Sequence, residues 1–444
     1  MTKQFPFMLL ADTKGRIFNH PYLRMVGQQR GIYRLPQPEE LISLPSRSKL
    51  FFMPGHKSVG WNSQENRYET LSEYKINRRI GGVFPVSAFL TPGYTRLLLP
   101  AIKAMDKTPP SKVLGGSIPV DETPLLPLWP YTAVGWQKGK FWAAAVRIDK
   151  STHWRLCYFN DQKVVSGIKE RLKKFPHNRL IKHLSNCALN YRCFAAMNFF
   201  LRRWEIPLPT SPICNSKCIG CISRQHSGCP QASHERIRFV PTPSEIVQIA
   251  LPHLRNAPEA VVSFGQGCEG EPLLQVETLE ETIRILRMRT SRGTINLNTN
   301  GFSPFYVKRL AQAGLDSIRI SLNSVQKDYY NAYFRPQDYQ FKDVIKSIKL
   351  SKDLGLFVSI NLFVFPGITD SEKEIAALIR LIKKTNLDMI QMRNLSIPSE
   401  FYNYHMPPSN GKIVGILEMI KILKEEFPRL LFGYFNRPKE YFTQ

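Results

Sequence analysis

The chain has 444 residues, enough for two or three domains at the usual ~100–200 residues each, which excludes a disulfide-held miniprotein. Hydrophobic residues make up 43% and charged residues 22%, as in ordinary globular proteins, and no run approaches the ~18 consecutive apolar residues of a bilayer span. The net charge is +26, of which +21 falls in residues 1–250 and +5 in 251–444. The first half therefore carries either a surface that attracts polyanions, nucleic acid among them, or a solvated basic face.

The chain opens with an apolar stretch of only Phe5 to Ala11 between charges, followed by no small-residue cleavage site. The expectation is a soluble, cytoplasmic protein that does not enter a membrane. Residues 1–150 are rich in Pro, Gly and aromatics, with short apolar runs such as Leu50 to Met53, Val83 to Leu90 and Trp142 to Ile148 between turn signals. They predict a mostly β or irregular accessory domain. Residues 151–205 change character: Val164, Val165, Ile168 and Leu172, then Leu180, Ile181, Leu184 and Ala188, recur at helical spacing among Lys and Arg. This is a basic helical connector.

From residue 206 to 400 strand and helix patterns alternate. A first strand over Pro207 to Ile213 is followed by Val261 to Phe264, Ile295 to Leu297, Ile318 to Leu322, Phe357 to Phe365 and Met389 to Met392. Helical-period segments at 243–255, 275–290, 303–313, 340–354 and 370–384 separate them, with Thr242 and Asp370 as caps. Six such units predict an α/β fold, a partial (β/α)6 TIM-like barrel whose ligands bind at the C-terminal strand ends. Residues 401–444 read as a C-terminal helix, over 411–426, and a tail.

The eight cysteines, at 157, 187, 193, 214, 218, 221, 229 and 268, sit in a chain with no export signal, so metal or redox use is the better expectation. Cys214, Cys218 and Cys221 fall on one loop directly after the first strand, at the ligand-binding end. Three thiolates can hold three irons of a 4Fe-4S cluster and leave the fourth iron open. The same cysteines with Cys229 or His226 can instead close a zinc knuckle.

The Cys-x3-Cys-x2-Cys spacing after the first strand of a six-unit βα run resembles the radical S-adenosylmethionine (SAM) superfamily over residues 206–400. The resemblance implies that Cys214, Cys218 and Cys221 hold a 4Fe-4S cluster and that its open iron chelates SAM. It also implies reductive cleavage of SAM to a 5'-deoxyadenosyl radical, with electrons from a low-potential donor of flavodoxin or ferredoxin type. Gly267-Cys268-Glu269-Gly270-Glu271-Pro272 is similar to the family's Gly-Gly-Glu-Pro, which makes Gly270 and Glu271 contacts of the SAM amine. Glu269 departs from the usual glycine there, so the backbone is less free to approach a ligand.

The turn Asn298-Thr299-Asn300-Gly301 resembles a SAM-proximal turn of many family members, so Asn298 and Asn300 are candidate contacts. On the fourth strand Arg319, Ser321 and Asn323 alternate with apolar residues and share a face, where an inward Arg needs an anion such as the SAM carboxylate. Phe365-Pro366-Gly367 looks like the family's adenine-packing loop, and Gln391 and Arg393 share a face of the sixth strand. Cys268, beside the proposed site, is a candidate for hydrogen-atom or methyl transfer, or packs as a buried thiol.

No cysteine follows Cys268, which disfavours a second, C-terminal cluster. Aromatics at Tyr329, Tyr330, Tyr333 and Phe334, and at Phe401, Tyr402 and Tyr404, suit either base stacking or core packing. The reading is a radical SAM enzyme on an unidentified substrate, with RNA or another polyanion as a candidate. The alternative is a nucleic-acid-binding protein with a structural zinc knuckle and no catalysis.

Overall fold

Short apolar runs broken by Pro and Gly form strands wherever a partner strand can supply the missing ladder bonds, and this is how residues 7–147 fold. The computed structural model describes residues 5–76, 79–105, 125–226, 228–408 and 411–442. Among the described residues between Phe7 and Arg147 the strands pair antiparallel throughout, into a 13-stranded sheet and a separate three-stranded one. The long strand Arg79–Phe89 joins the largest sheet to its flanking ribbons.

Three helices follow: α1 (Asp161–Lys174), α2 (Arg179–Leu189) and α3 (Phe194–Leu201). Asn160 and Asn178 cap α1 and α2 by accepting from Lys163 N and Ile181 N, both at 2.9 Å. Their periodic apolar residues Val164, Ile168, Leu180, Ile181 and Leu184 are buried in the same core that runs through the barrel to Leu430. The connector is thus an integral layer of the barrel.

The second half is a parallel sheet whose strands lie in chain order: β1 (Glu205–Pro207), β2 (Val261–Phe264), β3 (Thr294–Thr299), β4 (Ser317–Leu322), β5 (Phe357–Val364), β6 (Met389–Asn394) and β7 (Leu431–Gly433). The expected crossover helices are α4 (Pro243–Asn256), α5 (Val276–Arg289), α6 (Pro304–Ala313), α8 (Phe341–Asp353) and α9 (Glu372–Thr385). Thr242 caps α4 in a capping box with Glu245. Ser371, not Asp370, caps α9; Asp370 instead accepts from Gly367 N (2.5 Å) and from Gln29 of the N-terminal region (2.8 Å).

The sheet differs from the six-unit expectation in three places. β1 stops at Pro207 instead of running to Ile213, because Pro207, Pro209 and Pro212 have no N–H to give a ladder; only Leu208 N continues it, to Ser263 O at 2.8 Å. A seventh strand, β7, pairs with β6 through three residues, too few to show a period. Two short helices, α7 (Lys327–Phe334) and α10 (Ser399–His405), hold the aromatics that follow β4 and β6. The last helix, α11, spans Ile416–Glu426, shorter than 411–426 because Gly415 precedes it at φ +101°.

The N-terminal region docks on the C-terminal ends of β5 and β6. Thr95 Oγ1 donates to Met392 O (2.7 Å), and the fully buried Arg96 donates to Leu395 O (2.8 Å) and Tyr131 O (3.0 Å). Carbonyls, not carboxylates, solvate this guanidinium, and burial pushes it down to about 9.

Trp204, at the entry to β1, accepts from His253 Nε2 of α4 at 2.6 Å. Burial holds this imidazole down to about 4, against 6.5 when exposed. The unfolded chain therefore binds the extra proton between these values, and stability is lost as pH falls through that window. His253→Gln is expected to abolish roughly 3 kcal/mol of that acid sensitivity, measured as the difference in urea-unfolding free energy between pH 7 and pH 4.

Candidate active site

Cys214, Cys218 and Cys221 lie on the loop that leaves β1, and all three line one cavity of about 350 Å³ at the C-terminal ends of the strands. The loop is stapled from behind by the segment after β4. Ile219 N donates to Tyr333 O (3.0 Å), Lys217 N to Arg335 O (3.3 Å) and Asn215 Nδ2 to Asp338 (2.9 Å). Tyr330, Tyr333 and Phe334 are buried behind the loop, which settles these aromatics as packing; Tyr333 and Phe334 also form part of the cavity wall.

Burial pushes the Cys214 thiol up to about 11 and Cys218 well above its ordinary value, so a thiolate pair here needs a cation. Around one zinc, Zn–S bonds of ~2.3 Å put sulfurs roughly 3.8 Å apart. As a set these three do not all lie within 4.8 Å of one another. His226 and Cys229, the proposed closing ligands of a zinc knuckle, are exposed and outside the cavity. Three thiols on one loop are instead the donor set of a cubane that keeps one iron corner open. Arg236 adds a positive charge at the rim, with Nη2 3.4 Å from Cys221 Sγ.

The loop after β2 is held against the cysteine loop by Glu269. One carboxylate oxygen accepts from Thr210 N (2.7 Å) and Ser211 N (3.0 Å); the other accepts from Gly265 N (2.7 Å) and Gln266 N (2.8 Å). The side chain that departs from the glycine pattern is therefore a brace between the two loops, with burial pushing its carboxyl up to about 7. The close approach it enforces explains Gly270, where a Cβ would come 1.9 Å from Ile213 O. Gly265 answers to the same constraint, at φ +77° with Asn298 O 1.6 Å from its would-be Cβ.

Glu271 lines the cavity, yet both its oxygens are engaged: one accepts from Leu273 N (3.0 Å) and from Thr299 Oγ1, the other from Asn300 N (2.8 Å). It sets the backbone that faces the cavity. Asn300 likewise reaches back, donating to Asn215 Oδ1 (2.9 Å) and Ser216 Oγ (3.2 Å) of the cysteine loop.

Of the remaining sequence candidates, Asn298, Arg319, Ser321 and Arg393 line the cavity with Gly270. Arg319 is buried; its Nη1 meets Gln391 Oε1 (3.1 Å) and Asn436 Oδ1 (3.4 Å), and its Nε has no partner. Four expectations are corrected. Gln391 sits below the lining, donating to Asn436 at 3.0 Å, and Asn323 turns away to Tyr329 O (3.0 Å) and Tyr402 Oη (3.1 Å). Cys268 is buried outside the cavity, its thiol against Cys187, because the turn Gly265 to Gly270 directs its neighbours Gly267 and Glu269 inward instead. Nor does Phe365 reach the cavity: it packs on Tyr402 at 4.3 Å and under Arg96.

Several lining or supporting residues escaped the sequence reading. Asn361 on β5 sits in register beside Ser321 and Gln391, with a buried Oδ1 that has no partner. The period-two pattern Ser359, Asn361, Phe363 carried that signal within a run read as apolar. Tyr434 and Asn436, after a three-residue strand, gave none. Asn436 ties Glu205 (2.6 Å) to Gln391 and closes the barrel floor.

A parallel half-barrel carries three loop thiols at its mouth, braced to an acidic Gly-Glu-Pro loop, a donor set suited to an iron-sulfur cluster. Residues 208–382 match the family model of the Radical SAM superfamily. It is similar to a GTP 3',8-cyclase of Petrotoga mobilis, 31% identical over 163 residues, covering 36% of this chain and 47% of the relative. A probable GTP 3',8-cyclase of Pyrococcus horikoshii is 30% identical over 220 residues, 49% of this chain and 62% of the relative. The chain thus spans about half the length of the curated relatives it matches. Among solved structures, methylornithine synthase is similar at 13% identity and TM-score 0.37, covering 61% of this chain and 78% of that one. The superfamily's cofactors are a 4Fe-4S cluster and SAM, and three thiols on one loop suit such a cluster. In the described residues no helix is long and apolar enough to cross a membrane.

Proposed function

We propose that this chain is a radical SAM enzyme whose substrate is a small anion, with a purine nucleoside triphosphate of the GTP type as first candidate. One observation carries the reading: three thiols on one loop share a cavity with three guanidiniums, Arg236, Arg319 and Arg393, that have no hydrogen-bonded or ion-paired carboxylate among the described residues. When bound, the cluster and SAM supply a 5'-deoxyadenosyl radical, which takes a hydrogen atom from the substrate. Cys214, Cys218 and Cys221 hold the cluster, and Glu269 and Asn300 fix their loop. Arg319 is assigned to the SAM carboxylate. Arg393, held by Nε on Tyr434 O (3.0 Å), is assigned to the anionic substrate. Phe334, Phe363 and Tyr434 shield the space between from water. A flavodoxin- or ferredoxin-type protein delivers the electron.

The relatives' names direct the search to a nucleotide ahead of the RNA suggested by the basic first half. The test is anaerobic reconstitution with SAM and dithionite, followed by chromatographic assay of 5'-deoxyadenosine. The intact protein is expected to form it, Cys218→Ala is not, and GTP is expected to raise the yield where a short RNA does not. Deoxyadenosine from Cys218→Ala would overturn the cluster assignment; stimulation by RNA alone would overturn the nucleotide reading.

A further inference from the structure

A second group of soft donors lies outside the cavity. His183 and Cys187 stand one helical turn apart on α2, with His183 Nε2 3.5 Å from Cys187 Sγ. Cys268 meets them from the loop after β2, and the three ligand atoms all lie within 4.8 Å of one another. Among the described residues this is the one such group of three His, Cys, Asp or Glu side chains. The two thiols are buried and His183 is half-buried. His234, on the segment after the cysteine loop, stands outside this group of three, with its Nδ1 3.1 Å from Ser233 Oγ. None of the four lines the cavity.

We propose that His183, Cys187 and Cys268 bind a zinc ion. The i, i+4 spacing on a helix puts two ligands on one face, and two sulfurs with an imidazole are a donor set that suits zinc. Here the donors converge as on a single ion, whereas Cys214, Cys218 and Cys221 do not form such a group. A thiol pair serving only as small hydrophobes does not need an imidazole at the same point.

The ion would join two separate pieces of chain, α2 of the connector and the loop after β2, beside the segment that carries His234. That segment is already pinned by His234 N to Ile222 O (2.9 Å) and by Ile237 N to Cys268 O (2.8 Å). Its place is directly behind the two loops that Glu269 braces, so its role is to hold the connector against the cluster loop.

The test uses the full chain in which Cys214, Cys218 and Cys221 are all replaced by Ser, so that no cluster cysteine can take up metal. Zinc and iron are counted by elemental analysis, and the metal-free protein is titrated with cobalt(II). Expected are one zinc per chain and, with cobalt, the intense visible bands of a tetrahedral site with thiolate charge transfer. The added replacements Cys187→Ser or Cys268→Ser should abolish both, and His183→Asn should weaken cobalt binding. The cobalt spectrum of the parent protein is read without any variant at the proposed site, so misfolding of a variant does not decide the matter. A chain that takes up neither metal, zinc that persists in Cys187→Ser, or a Cys187–Cys268 disulfide in the native protein by mass spectrometry would each overturn the proposal.

Discussion

Glu269→Ala is expected to remove most of the iron that the protein takes up on reconstitution, although Glu269 is not a cluster ligand. Its carboxylate is the acceptor for four buried N–H groups, two from the cysteine loop and two from the loop after β2. An orphaned buried donor costs ~1–3 kcal/mol, so the two loops lose a combined stabilisation of at least ~4 kcal/mol and separate or take in water. Glu269→Gln is informative because it keeps the volume: its amide oxygen can serve one loop, while its NH2 points two donors at the donors of the other. Its iron content should fall between the parent and Glu269→Ala. Iron per chain, with urea unfolding of each apoprotein, checks this. Full iron content in Glu269→Ala would mean that the cysteine loop holds its shape without the brace.

Arg319→Met is expected to split binding from stability. The guanidinium is buried against two amide oxygens, with one N–H unmatched, and burial together with the nearby Arg393 charge pushes it well below its ordinary value. Replacing an uncompensated buried charge by an apolar chain of similar volume is often neutral or stabilising, so the apoprotein should unfold within ~1 kcal/mol of the parent, or later. SAM binding by the reconstituted protein should weaken about 10- to 100-fold, the loss of one charge-assisted hydrogen-bond pair. Equilibrium dialysis against SAM, set beside thermal unfolding, reads both. A variant that unfolds early but binds SAM as the parent does would make Arg319 a strut for Gln391 and Asn436, not a ligand contact.

The elements with a strong period were legible from the residues. The crossover helices start and end within a residue or two of the expected bounds, because caps such as Thr242 with Glu245 are local chemistry. The cysteine loop was legible for the same reason, since spacing within eight residues survives any fold. The elements that escaped, β7, α7 and α10, are short; partners far away in sequence stabilise them. The apolar character of residues 207–213 suggests a longer β1, but the prolines there lack the N–H groups that a ladder needs.

The candidate site divides along the same line. Cys214, Cys218, Cys221, Glu271, Arg319 and Arg393 could be named from pattern, since each sits at a strand end or on an inward face of a strand whose period is visible. Which of the inward polar residues meet the cavity could not. Asn323 and Gln391 have the right parity, but depth along the strand decides whether a side chain opens to the mouth or to the floor that Asn436 closes. The meaning of Glu269 also depended on distance: as a residue in a motif it looked like a lost glycine, and only four amides from two loops converging on it make it a brace.

The sequence by itself determined the cysteine loop and the alternation of the main strands and crossover helices, because both depend on contacts among near neighbours: thiol spacing, apolar period, caps and prolines. The tertiary structure alone decided that the basic connector is a layer of the barrel, that Cys268 faces His183 and Cys187 and not the cavity, and that the N-terminal sheet is anchored on β5 and β6 through Arg96. These are contacts between residues up to several hundred positions apart, where loop closure and core packing choose the partners and no local pattern records the choice.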